Sequence, residues 1–149
     1  MLLDATDKRI LMILQEDART PVTQIARQLR LGETTVRYRI SRLVKEGVIT
    51  RFSALLNPRR VGYPVDAILL VKTDPKRLQE VFDAIANIRE TSHILQTTGE
   101  YDMITVIHAR SMQHLNQLTN RIKRIEGARD VSSWIATGLV KVDPIYRLE

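Results

Sequence analysis

Thr34, Thr35, Arg37, Tyr38, Ser41, Arg42 and Lys45 bring hydroxyls, a phenol and cations into a short stretch, and Val36, Ile40 and Leu43 interrupt them at spacings of three and four. At about 100° per residue the three aliphatic residues share one stripe, with Val44 at its edge. Thr34, Tyr38, Ser41 and Lys45 lie nearly opposite, and Arg37 and Arg42 flank that outer face. Hydroxyls donate and accept, a guanidinium forks onto two acceptors, and an ammonium neutralises an anion, so this surface suits phosphates and base edges. Arg39 falls close to the apolar stripe, and its expected partner is a carboxylate of a preceding helix, Asp4 or Asp7.

A helix has to hold that face outward. The spacing predicts one from about Glu33 to Glu46, stopped by Gly47 in the left-handed conformation that glycine tolerates best. Upstream, Asp4 or Thr6 is placed to cap a first helix through about Glu16, with Ile10, Leu11, Ile13 and Leu14 inward and Leu3 as a staple. Thr20 before Pro21 predicts an N-cap and first helical position, after which Val22, Ile25, Ala26 and Leu29 recur at helical spacing. Arg30, Leu31 and Gly32 make the turn between second and third helix, which is a helix-turn-helix arrangement. After Gly47, the alternation from Val48 to Leu56 predicts a strand or small hairpin, a wing with Arg51 beside phosphates.

Charge agrees with this placement. Residues 1–60 hold 12 Lys+Arg against 6 Asp+Glu, residues 61–149 hold 11 against 11, and the whole formal excess of +6 therefore lies in the first part. Such asymmetry predicts two units with different partners, the basic one facing nucleic acid. An interfacial membrane helix would need exposed Trp and Phe, which the apolar faces here lack. The longest apolar run is Ala67 to Val71, far below the roughly 20 residues that span a bilayer. The start, MLLDATDKRI, has no charged region before an apolar stretch, and the chain has no cysteine, hence neither disulfide framework nor thiolate metal site. A soluble, cytoplasmic protein with no membrane partner is the expectation.

Asn57 to Arg60 and Gly62 to Pro64 break the pattern, so the expected domains are residues 1–60 and 65–149 with a hinge over 57–64. Beyond the hinge the sequence predicts a strand from Val65 to Thr73, a helix opened by Asp74 and Pro75, strands from about Thr91 to Thr98 and Tyr101 to Ala109, a helix capped by Ser111 and ended by Gly127, and a last strand from Val131 to Val142. Asp74 and Ser111 stand 37 residues apart, as do Val65 and Asp102, so the strand-helix-strand unit repeats. The fold class expected is α+β, an N-terminal winged helix-turn-helix joined to a C-terminal ferredoxin-like βαββαβ domain with an antiparallel sheet. Helices cover one sheet face, and the apolar first strand predicts that a second subunit covers the other.

Leu3-Asp4-x-x-Asp7-x-x-Ile10-Leu11-x-x-Leu14, Asp17-Ala18-Arg19, Ile25-Ala26, Thr35-Val36-x-x-Arg39-Ile40-x-x-Leu43-x-x-x-Gly47-Val48-Ile49 and Thr98-Gly99-x-Tyr101-Asp102 stand in an order and spacing that resemble the Lrp/AsnC family, the leucine-responsive and asparagine-responsive feast/famine transcription regulators. The resemblance spans essentially the whole chain. It implies double-stranded DNA as partner, a homodimer formed through the sheet that assembles further to a tetramer or octamer, a small amino acid as effector, and no cofactor. On that basis Gly99, Glu100, Tyr101, Asp102 and Ser133 form the expected effector site. Asp102 would take an amino group, backbone amides near Gly99 a carboxylate, and Tyr101 would form the wall. Two departures stand out. Gly32 replaces the serine that often caps the recognition helix, and Val131 and Ser133 replace a pair of threonines, of which only Ser133 keeps a hydroxyl.

For DNA, Thr34, Thr35, Tyr38 and Ser41 suit base edges or nearby phosphates, Arg37 and Arg42 a guanine or the backbone, and Lys45 the outer face. Gln24, Arg27, Arg51, Arg59 and Arg60 are assigned to phosphates, which give affinity without sequence information. His93, His108 and His114 have no metal-ligand spacing; His114 is expected exposed, and Trp134 is expected as a core or interface anchor. Nucleophile elbow, phosphate cradle and zinc signature are all lacking, so no enzyme activity is expected. The competing readings are an effector-independent architectural chromosomal protein and a siroheme decarboxylase-like enzyme.

Overall fold

The structure is a computed structural model and describes residues 2–138, 141 and 145–148. It divides into two compact units, one of residues 1–55 with 141–149, the other of residues 56–140. The boundary thus falls a few residues earlier than the pattern break implied, and the C-terminal tail joins the first unit instead of the second.

In the first unit, α1 (Ala5–Glu16) is capped by Asp4, whose Oδ1 accepts from the Asp7 amide at 2.8 Å while Asp7 Oδ2 accepts from the Asp4 amide at 3.3 Å. These reciprocal bonds satisfy two of the backbone donors that a helix start leaves orphaned. Helix α2 (Val22–Leu29) starts one residue later than expected. Thr20 does not cap it, because its hydroxyl donates to the Asp17 carbonyl at 2.7 Å; the cap position is Pro21, whose carbonyl accepts from Gln24 and Ile25. Arg30, at φ 54, turns the chain, and α3 (Glu33–Lys45) follows from a Gly32 cap that offers no side-chain bond. Gly47 ends it at φ 72, as its sequence position predicted.

Ile10, Leu11, Leu14, Ile25, Ala26, Val36 and Leu43 form the core of this unit, with Leu3 packed against it. Leu43 is fully buried, and truncating such a side chain costs about 2 to 5 kcal/mol. Residues 145–148 close onto the same unit: the Tyr146 amide donates to Gln15 Oε1 at 2.8 Å, Gln15 Nε2 donates to the Tyr146 carbonyl at 3.1 Å, and Leu148 packs on the core.

The expected wing is not a strand or hairpin. Residues 51–57 carry no regular structure, and Phe52, Leu55 and Leu56 are exposed. Alternation of apolar and polar residues suits a half-buried strand, but a strand also needs a partner edge for its backbone groups, and none pairs with this segment among the described residues.

In the second unit, Asn57 caps a 3-10 turn over Pro58–Val61 that Gly62 ends at φ 93. Then come β1 (Val65–Thr73), a 3-10 turn capped by Asp74, α4 (Leu78–Ala86), β2 (Thr91–Gln96), β3 (Met103–Ala109), α5 (Met112–Lys123) and β4 (Ala128–Ile135). The sheet order is β2-β3-β1-β4 with antiparallel neighbours, the ferredoxin-like arrangement. The sequence carried the last strand to Val142, of which residues 139, 140 and 142 lie outside the described ones; β4 itself ends at Ile135.

Strand alternation sorts the two sheet faces. Ala67, Leu69, Val71, Met103 and Ile107 pack with Val81, Ile85, Leu115, Leu118 and Ile122 of the two helices. The opposite face presents Ile68, Leu70, Ile104, Val106, Leu95 and Trp134, with Trp134 paired to Ile68 across β4 and β1. Trp134 is 60% exposed, so it is not a core residue of this unit. No helix among the described residues is long and apolar enough to cross a membrane.

Candidate nucleic-acid interface

Helix α3 turns its apolar stripe onto α1 and α2 and its polar ridge into solvent. Thr34, Thr35, Arg37, Tyr38, Ser41 and Lys45 are all exposed, Tyr38 by 66%. Among the described residues, Arg37 has one charged neighbour, Glu33 at 4.0 Å on the same helix, a separation at which an exposed pair contributes little. The hydroxyls of Thr34, Thr35, Tyr38 and Ser41 and the ammonium of Lys45 take no partner among those residues and are free to meet a ligand. Gln24 and Arg27 of α2 are exposed, as is Arg51 beyond Gly47. Arg59 and Arg60 are exposed on the 3-10 turn of the other unit.

Arg39 meets both carboxylates expected for it, Asp4 Oδ2 at 2.6 Å and Asp7 Oδ1 at 2.9 Å. The guanidinium of Arg39 holds the Asp4 carboxyl below the usual aspartate range, with the Asp7 amide acting in the same direction. Arg42 is redirected relative to its expected role. Its Nη2 donates to Asp7 Oδ2 at 2.5 Å and its Nε is buried without a partner, so the fork that would grip a guanine is turned onto α1. Sequence reading missed this pairing, although a signal existed: Asp7 falls on the same α1 face as Ile10, Leu11 and Leu14, which marks it as a buried carboxylate in need of cations.

The expected effector residues lie in the second unit. Between β2 and β3 the Thr97 hydroxyl donates to the Tyr101 carbonyl at 2.6 Å and the Thr97 amide to the Asp102 carbonyl at 3.0 Å, so β2 stops at Gln96 and β3 starts at Met103, inside the predicted limits. Asp102 Oδ2 accepts from the Thr73 amide at 2.7 Å and the Thr73 hydroxyl at 3.1 Å, which ties the loop to the end of β1. Glu100 pairs with Lys72 at 2.8 Å; each charge favours the other, lowering the Glu100 carboxyl and raising the Lys72 ammonium. Lys72 also lies 5.1 Å from the centre of the Tyr101 ring. Gly99 has no left-handed φ, and a Cβ there would meet nothing within 4 Å, so the backbone does not require glycine at this turn. Ser133, exposed on β4, is paired with Leu69 and is not joined to the loop by any hydrogen bond.

The histidines are separately engaged. His108 Nδ1 lies 2.6 Å from Asp66 Oδ1, and His114 is half-buried, not exposed, with Nδ1 accepting from the Arg110 amide at 3.2 Å and Nε2 3.6 Å from Glu90.

Comparison with known proteins agrees with this geometry. Residues 3–50 match a winged helix-turn-helix DNA-binding model, and residues 66–145 match the Lrp/AsnC ligand binding domain. An uncharacterized HTH-type transcriptional regulator of Pyrococcus furiosus is 36% identical over 141 residues, covering 94% of this chain and 95% of its own. The HTH-type transcriptional regulator FL11 of the same organism is 34% identical over 134 residues, covering 90% of this chain and 89% of its own. In space, the AsnC family transcriptional regulator of Agrobacterium tumefaciens superposes with a TM-score of 0.87 at 26% identity over 97% of both chains. A transcriptional regulator of Neisseria meningitidis, solved as an L-Met complex, shares the fold with a TM-score of 0.86 at 24% identity, over 96% of this chain and 95% of that one. An outward polar helix on a three-helix unit, a four-stranded βαββαβ unit and matches to both parts together assign the chain: it belongs to the Lrp/AsnC family of DNA-binding transcription regulators.

Proposed function

We propose that this regulator reads duplex DNA with the outer face of α3, as a cytoplasmic homo-oligomer whose assembly a small amino acid adjusts. One observation carries the DNA part: a continuous exposed ridge of Thr34, Thr35, Arg37, Tyr38, Ser41 and Lys45 lies on a unit that holds the chain's net positive charge. The N-terminal half of α3 enters the major groove, where Thr34, Thr35, Arg37, Tyr38 and Ser41 meet base edges. Lys45, Gln24, Arg27 and Arg51 neutralise phosphates and give the affinity its salt dependence.

Support for the oligomer comes from the uncovered sheet face, where Ile68, Leu95 and Trp134 stay exposed although each sits among apolar neighbours. A second copy presents the same face and covers it symmetrically. Twofold symmetry then sets two reading helices about 34 to 36 Å apart, one turn of the duplex, and makes the preferred sites palindromic.

The effector site is proposed at Gly99, Glu100, Tyr101 and Asp102, with Ser133 of β4 as a hydroxyl contributor. A glycine that the turn does not need leaves clearance beside the loop amides, and Asp102 keeps Oδ1 for an ammonium while Oδ2 holds Thr73. The L-Met bound by the Neisseria meningitidis regulator of the same fold supports an amino acid as the ligand class. The test is a footprint on genomic fragments with each of the twenty amino acids in turn. A few protected sites at helical-turn spacing, shifted by at least one amino acid, are expected. Continuous protection indifferent to every amino acid would instead identify a packaging protein.

A further inference from the structure

Asp7 is the one buried ionisable side chain among the described residues. A lone carboxylate at such a site is costly, and here it is compensated by two guanidiniums of α3, Arg39 Nη1 at 2.9 Å and Arg42 Nη2 at 2.5 Å. Arg39 continues to Asp4 Oδ2 at 2.6 Å, and Asp4 is itself tied to Asp7 through the capping box. The two helices already meet through Ile10, Leu11, Val36 and Leu43, and well-packed apolar residues join helices at least as stably as a buried ion cluster does. What the apolar contact lacks is direction. Carboxylate oxygens that each receive a guanidinium fix the rotation and the axial position of α3 against α1, and they remove two cations from a face where any freed cation would seek phosphate.

We propose that Asp7 is a positioning residue for sequence discrimination: it holds α3 in register and withholds Arg39 and Arg42 from the duplex, so that Arg37 and the hydroxyl-bearing residues of α3 decide which sequence is preferred. This rests on the reading of α3 as the helix that enters the groove. The split of the helix's arginines supports it, because Arg37 is 66% exposed whereas Arg39 and Arg42 are 22% and 32% exposed on side chains that turn toward α1.

The experiment uses the full chain and two duplexes of equal length, one selected by the wild-type protein from a random library and one scrambled, titrated over a range of salt. Asp7→Asn takes from Arg42 its one carboxylate and leaves Arg39 only Asp4, so affinity for the scrambled duplex is expected to rise and its salt slope to steepen by about one contact. The preference for the selected duplex should fall about tenfold, the scale of losing one good base contact. Adding Arg42→Gln to Asp7→Asn should restore part of the slope, since the freed charge is gone. Equal weakening on both duplexes with an unchanged slope would overturn the proposal, leaving Asp7 as a fold-holding residue only. Should Asp7→Asn not fold, Arg42→Gln alone decides: it keeps the Asp7–Arg39 pair, and an unchanged scrambled-duplex slope is expected, whereas a slope reduced by about one would put Arg42 on a phosphate and overturn the proposal. Arg37→Ala is the control for the underlying reading; if it alters binding to neither duplex, α3 is not the reading helix, and that failure is separate from any result at Asp7.

Discussion

Arg39 and Arg42 show how residue type alone under-determines role. Arg39 was placed correctly by angle, since at about 100° per residue it approaches the apolar stripe and so must find a carboxylate. Arg42 sits on the flank, where angle leaves solvent and α1 equally open, and the buried Asp7 decides the matter. Asp4 carries a prediction at this scale. Its carboxyl is held below the ordinary range by Arg39 first and the Asp7 amide next, so the stability it adds is fully present above the ordinary aspartate range and is lost as pH falls through the lowered folded value. Asp4→Ala is expected to lower the urea midpoint at neutral pH, and the gap from wild type should close in acid. A gap that stays constant across the series would remove Asp4 from the network.

At the level of elements, most of the architecture was legible because turns of the second unit carry residues with a distinct mechanical use, among them Asp74, Ser111 and Gly127. Ser111 accepts from the His114 amide at 3.0 Å to start α5, and Gly127 follows that helix at φ 99. Gly127 is demanding on two counts, since a Cβ there would lie 2.8 Å from Arg77 Cβ and 3.1 Å from Val81 Cγ2. Gly127→Ala is expected to cost about 1 to 3 kcal/mol in chemical denaturation, through the left-handed backbone and the displaced neighbours. Gly99→Ala, with an unconstrained φ and open space, should leave stability within error of wild type and serves as the comparison. The elements that could not be read were those where the residue pattern does not name the backbone or cap partner. The alternation of residues 48–56 has no edge to pair with among the described residues, and Thr20 was drawn from α2 by the Asp17 carbonyl just before it.

For the whole molecule, the charge split set the helix-turn-helix part apart from the βαββαβ part, and the apolar run of β1 marked a strand at the centre of the sheet. What a linear pattern could not reveal is that residues 145–148 return to α1 through Gln15, because a short tail has no periodicity of its own. The uncovered sheet face gives the prediction at this scale. Ile68→Glu sets a charge beside Trp134 on that face without touching the helix-side core, so the fold should persist while light scattering shows the mass falling from dimer toward monomer. Retention of the wild-type mass would place the subunit contact elsewhere.

The outward ridge of α3 as the DNA-reading surface is tested most directly at Arg37, which is exposed and held only by a 4.0 Å neighbour. Binding of wild type and Arg37→Ala to a selected operator and to a scrambled duplex, measured by fluorescence anisotropy across salt, separates the roles. A loss of about 1 to 3 kcal/mol confined to the operator is the predicted result, the signature of a base contact. Identical binding curves for the two proteins on both duplexes at every salt concentration would contradict the account.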